Sequence, residues 1–166
     1  MSKKIRIIAE YGLLIALALV LSIVESFMPA FFAVPGMKLG LTNVVVVVAL
    51  YYMKPRDAIF INIIRIVLVG LMFSNGASFL YSICGGLLSG LAMILLYKTK
   101  RFSMVTISVV GGIMHNVGQI LCAMVLLYTS AIGWYLAILW VTGLLTGALI
   151  GLISGAVVRR LPARID

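Results

Sequence analysis

Among the side chains that carry charge or hydrogen-bonding power inside apolar surroundings, eight are candidates for binding: Glu25, Lys38, Asn43, Arg65, Tyr81, His115, Asn116 and Gln119. Lys38 and Arg65 can grip an anionic group, the guanidinium through a fork that matches carboxylate or phosphate. The three carboxamides offer donors and acceptors for polar specificity. His115 and Gln119 are four residues apart and share a face of any helix that bears them, with Asn116 one step round. Glu25 can pair with Lys38 or Arg65, or touch a ligand itself. These residue types suit recognition of a small molecule better than bond-making. No nucleophile–base pair with recognisable spacing is present, so a membrane enzyme using His115 as base lacks its other parts. The single histidine has no acidic neighbour in sequence, which speaks against a metal site. Each residue also has a structural reading: Arg65 in a salt bridge with Glu25, His115 and the amides in interhelical bonds, Lys38 snorkelling to an interface.

The stretch that organises these residues is V-P-G-M-K-L-G-L-T-N at 34–43. Pro35-Gly36 marks a turn that a helix does not run through. Gly40 removes side-chain bulk, so a helix or ligand can approach the backbone. Asn43 then enters an apolar run with polar atoms that lipid cannot satisfy. The stretch reads either as the lip of a binding site at a membrane face or as an interfacial loop.

Composition says what surrounds it. The 166 residues are 64% hydrophobic and 10% charged, and the mean hydropathy is +1.25. A soluble domain is only about half apolar. The chain is therefore expected to be an all-α integral membrane protein, a single transmembrane domain over residues 1–166. Its length accommodates about six spans at ~20 residues each. The net charge of +9 comes from 13 basic residues, and all but Lys38 and Arg65 flank apolar runs. The positive-inside rule accounts for that placement without a nucleic-acid partner and puts both termini in the cytoplasm. Cys84 and Cys122 read as small packing residues. The basic start and first apolar run lack a small-residue cleavage site, so they read as an uncleaved helix.

Helices are expected at roughly 7–28, 39–53, 58–73, 79–97, 104–128 and 134–158. The first carries Gly12, Ala16 and Ala18, a smooth patch for close helix contact, within the chain or with another membrane subunit. The second holds five consecutive valines, which would suggest a strand in water. A lone strand cannot cross a bilayer, so the run is read as a short helix. Lys54-Pro55-Arg56-Asp57 makes a cytoplasmic turn. The third helix carries Asn62 and Arg65. A guanidinium at bilayer depth costs at least about 2.5 kcal/mol, so Arg65 should face protein or water. Gly86 and Gly90 follow in the fourth helix. In the sixth, Gly143, Gly147, Gly151 and Gly155 recur every four residues. Each step turns about 40° round the axis, tracing a slanting groove for another helix or a subunit.

P-G-M-K-L-G-L-T-N at 35–43, F-L-Y-S at 79–82 and H-N-V-G-Q at 115–119 resemble the Gx transporter, or heptaprenyl diphosphate synthase component I, family. The six-helix outline also resembles the substrate-binding S components of energy-coupling factor transporters. That resemblance implies a subunit of a bacterial plasma membrane that binds a scarce vitamin-like, quinone-precursor or isoprenoid compound from outside. A separate membrane scaffold and two cytoplasmic ATPases would drive its release, and Gly12, Ala16 and Ala18 match the positions of the scaffold contact. This chain has glycine where alanine is usual. The synthase name implies instead a non-catalytic membrane partner of a prenyl diphosphate synthase. Asp57 and Asp166 are the only aspartates, so no aspartate-rich motif holds magnesium diphosphate. No cofactor is implied, and no Walker motif is present.

Overall fold

Polar residues at the ends of apolar runs decide where the helices begin. In this computed structural model, which describes residues 3–27 and 38–162, six α-helices form: α1 Lys3–Phe27, α2 Asn43–Tyr52, α3 Pro55–Phe73, α4 Gly76–Thr99, α5 Met104–Leu126 and α6 Tyr135–Val158. A 3-10 turn, Ala131–Trp134, leads into α6. No strand occurs among the described residues. Pro55 opens α3, where its missing N–H costs nothing, and the Asp57 carboxylate accepts the Lys54 backbone N–H at 3.1 Å. Asn75 Oδ1 accepts the Ser78 N–H at 2.8 Å to start α4. Ser103 Oγ accepts the Thr106 N–H at 3.1 Å to start α5. These caps move the starts of α3 and α4 upstream of the expected 58 and 79.

Four helical stretches are long and apolar enough to cross a membrane: Lys4–Phe27, Gly76–Thr99, Met104–Leu126 and Ala131–Val158. Their outer faces are apolar too, with Leu13, Leu95, Val125 and Leu145 all largely exposed. A surface of this kind belongs in lipid. The other two helices differ. α3 has 19 residues but carries Arg56, Asp57 and Arg65. α2 has 10 residues, a rise of about 15 Å against a hydrocarbon core of about 30 Å. It starts at Asn43, four residues after the expected 39, because Gly40 at φ +84° turns the chain just before it. The valines of α2 are buried almost all round, against α1, α3, α5 and α6. That central position, not β-propensity, explains the run.

The glycine stripe of α6 is an intramolecular contact. A Cβ on Gly147 would lie 2.6 Å from Val109 Cα, one on Gly151 2.7 Å from Val105 Cα, and one on Gly143 3.1 Å from the Gly112 carbonyl. The backbones of α5 and α6 therefore touch along their length. α1 is the loosest helix: among the described helices it packs on α2 and α3 alone.

One end of the bundle gathers the basic residues. Tyr52 donates to Glu10 Oε1 at 3.1 Å, joining the end of α2 to the start of α1, where Arg6 pairs with Glu10 at 3.1 Å. The rings of Tyr51 and Tyr97 stand 5.0 Å apart. Met104, Val158 and Leu161 pack into the same cluster. Lys54, Arg56, Lys98, Lys100, Arg101, Arg159 and Arg160 flank these positions.

Candidate functional site

Residues Lys38–Thr42 run as a strap into the bundle, and two helices that do not touch each other hold it. From α1, Glu25 Oε1 accepts the N–H groups of Gly40 and Leu41. This carboxyl oxygen sits at the N-terminus of α2, where N–H groups without an intrahelical partner need an acceptor. Ser22, one turn earlier on α1, meets the Thr42 hydroxyl at 2.9 Å. From α5, the Gln119 carboxamide pairs twice with one backbone unit. Its oxygen accepts the Lys38 N–H and its NH₂ donates to the Lys38 carbonyl, both at 2.9 Å. The expected helix at 39–42 is thus replaced by a segment whose backbone polar groups are satisfied from the side.

Arg65 is deeply buried, and its partner within the chain is not Glu25. Asn62, one turn before it on α3, takes Arg65 Nε at 3.0 Å and Nη2 at 2.8 Å on its Oδ1. Asn62 Nδ2 in turn donates to the Gly86 carbonyl of α4 at 2.9 Å. No salt bridge joins Glu25 to Arg65 or Lys38; the ion pair formed among the described residues is Arg6–Glu10. Asn62 therefore replaces Glu25 as the residue that positions the guanidinium. Burial lowers the Lys38 ammonium below its usual pKa; Glu25 partly opposes that and Arg65 adds to it.

Around Gly40 several polar atoms have no partner. They are Glu25 Oε2 and both amide atoms of Asn43, and neither ring nitrogen of His115 makes a well-formed hydrogen bond, although the ring stands beside the Gly85 backbone. Glu25 is 5%, Asn43 2% and His115 2% exposed. They are neighbours: a Cβ on Gly40 would lie 3.0 Å from Asn43 Nδ2 and 3.2 Å from His115 Cδ2. Gly85 of α4 closes the other side, where a Cβ would come 3.0 Å from Gln119 Cγ and 3.1 Å from His115 Cε1. An unpaired buried polar group costs about 1–3 kcal/mol, so such atoms gathered at one place stand out.

Two of the expected site residues lie elsewhere. Asn116 donates to the Leu139 carbonyl of α6 at 2.7 Å, which makes it a helix-to-helix tie. Tyr81 packs with Ile120, Ala123 and Leu139 in a second apolar cluster. Of the three small residues on α1, Gly12 and Ala16 are exposed. Ala18 differs from them: it sits in the core of this chain. The Pro35-Gly36 turn lies outside the described residues.

Three contributors were not in the expected set. Asn62 stands at i−3 from Arg65 and Ser22 at i−3 from Glu25, so shared helix faces were available as a signal. Thr42 had no such signal, since its role depends on the strap. A separate apolar groove of about 620 Å³ lies between α4 and α5, with Cys84, Leu88, Gly118 and Cys122 among its walls. None of the expected binding residues lines it. No group of three or more metal-ligating side chains occurs among the described residues.

Residues 14–157 match the model of the family described as heptaprenyl diphosphate synthase component I. No curated protein and no solved structure matches.

Proposed function

The chain belongs to the heptaprenyl diphosphate synthase component I family, and on that premise we propose that it is a substrate-binding membrane subunit of an uptake transporter. The observation that carries this reading is the cluster at Gly40, where Glu25 and Asn43 are buried with unpaired polar atoms beside the His115 ring. A purely structural cluster would be expected to pair them. A ligand supplies the missing partners. Lys38 and Arg65 place two basic groups near one carboxyl group, which favours a ligand with an anionic group. The basic end of the bundle faces the cytoplasm by the positive-inside rule, and the ligand arrives from the other side of a bacterial plasma membrane. Energy comes from a membrane scaffold and two cytoplasmic ATPases, as in energy-coupling factor transporters. Gly12 and Ala16 on the exposed side of α1 offer the scaffold a smooth patch.

The family's description favours a second reading, a non-catalytic membrane partner of a prenyl diphosphate synthase. One experiment separates the two. The protein is tagged at its C-terminus, purified in mild detergent, and its companions are identified by mass spectrometry. Two ATPases with a membrane scaffold support the transport subunit. A prenyl synthase without ATPases overturns it in favour of the second reading.

A further inference from the structure

The charge and hydrogen-bonding needs of the cluster restrict what it can hold. Arg65 and Lys38 are two basic groups beside the single carboxyl group of Glu25, a balance that favours a ligand with an anionic group. The unpaired atoms of Glu25 and Asn43, together with the His115 ring, include donors and acceptors. A hydrocarbon tail can pair with none of them and would keep the cost of each. The groove that could take a tail opens on another face of the α4–α5 contact: Cys84 and Gly118 line it, while Gly85 faces His115 and Gln119.

We infer that this site takes a small monocarboxylic acid whose remaining part bears its own hydrogen-bonding atoms, such as a ring nitrogen or hydroxyl, and not an isoprenoid diphosphate. The inference rests on the binding-subunit reading and gives that site its substrate class. Arg65 and Lys38 take the carboxylate. Asn43 and His115 pair with the polar ring atoms. Reaching them requires the strap to release Gln119, because these atoms are closed off with the strap in place.

The test uses the full chain in lipid nanodiscs and four probes: pyridine-3-carboxylate, 4-hydroxybenzoate, benzoate and geranyl diphosphate. Dissociation constants are measured by calorimetry. At least one of the first two should bind about tenfold or more tightly than benzoate, since a site built around polar partners rejects an analogue lacking them. In Asn43→Leu that difference should collapse. The unfolding temperature of Asn43→Leu without probes should be unchanged or higher, because atoms without partners are removed. Equal binding of benzoate and the polar acids, tightest binding of geranyl diphosphate, or binding of no probe would each overturn the inference. So would a clear fall in the unfolding temperature. The binding-subunit reading fails separately, if the companion proteins are a prenyl synthase without ATPases.

Discussion

Gln119 holds Lys38 by its backbone and not by its ammonium. The carboxamide accepts the N–H and donates to the C=O of one residue, at 2.9 Å each, as a neighbouring strand would. This pairing fixes the strap that covers His115 and Asn43. Gln119→Leu leaves both Lys38 backbone groups unpaired and should cost about 2–3 kcal/mol. Gln119→Glu keeps the acceptor but sets a buried carboxylate oxygen against the Lys38 carbonyl, so it should cost at least as much. Thermal unfolding in detergent and hydrogen exchange at residues 38–41 read both changes. Normal exchange protection in Gln119→Leu would show that the strap is held by something else.

Gly40 is needed twice. Its φ of +84° is disfavoured for other residues, and a Cβ there would crowd Asn43 and His115. Gly40→Ala should destabilise by about 1–2 kcal/mol from backbone conformation alone. The unfolding temperature should fall accordingly, and a neutral result would mean that the turn adopts another conformation.

Arg65 and Asn62 act as a unit. Two guanidinium N–H groups converge on one amide oxygen. A double-mutant cycle with Arg65→Met and Asn62→Leu should give a coupling of about 1–3 kcal/mol. Arg65→Lys should not restore it, because an ammonium cannot present the same fork. Additive effects would dissolve the pair.

Two glycines should behave oppositely. Gly147→Ala drives a Cβ into the Val109 backbone and should loosen the α5–α6 contact, lowering the unfolding temperature. Gly12 has nothing within 4 Å of an added Cβ. Gly12→Ala should leave stability level or raise it by up to about 1 kcal/mol through helix propensity. A transport defect in Gly12→Ala, measured at normal protein abundance, would therefore report a partner on α1.

The apolar runs and basic flanks made the helical, membrane-embedded character legible from the sequence. The spacing of His115 and Gln119 placed both at one cluster, and Gly40 was marked for close approach. The partners of Arg65 and Glu25 were not legible. Opposite charges suggested a salt bridge, but packing brought Asn62 to Arg65 first and set Glu25 on the N–H groups ahead of α2. The short extent of α2 was hidden as well, because Leu39–Thr42 is no less apolar than a helix would be. Only its backbone pairing, supplied from α1 and α5, tells it apart.

α1 and α5 share no direct packing, yet Glu25 of one and Gln119 of the other grip the same few residues. The strap is a tether between a peripheral helix and a central one. A sideways pull on α1 must stretch that tether until one grip lets go. Whatever leans on the outside of the bundle thus has a handle on its most deeply enclosed polar atoms.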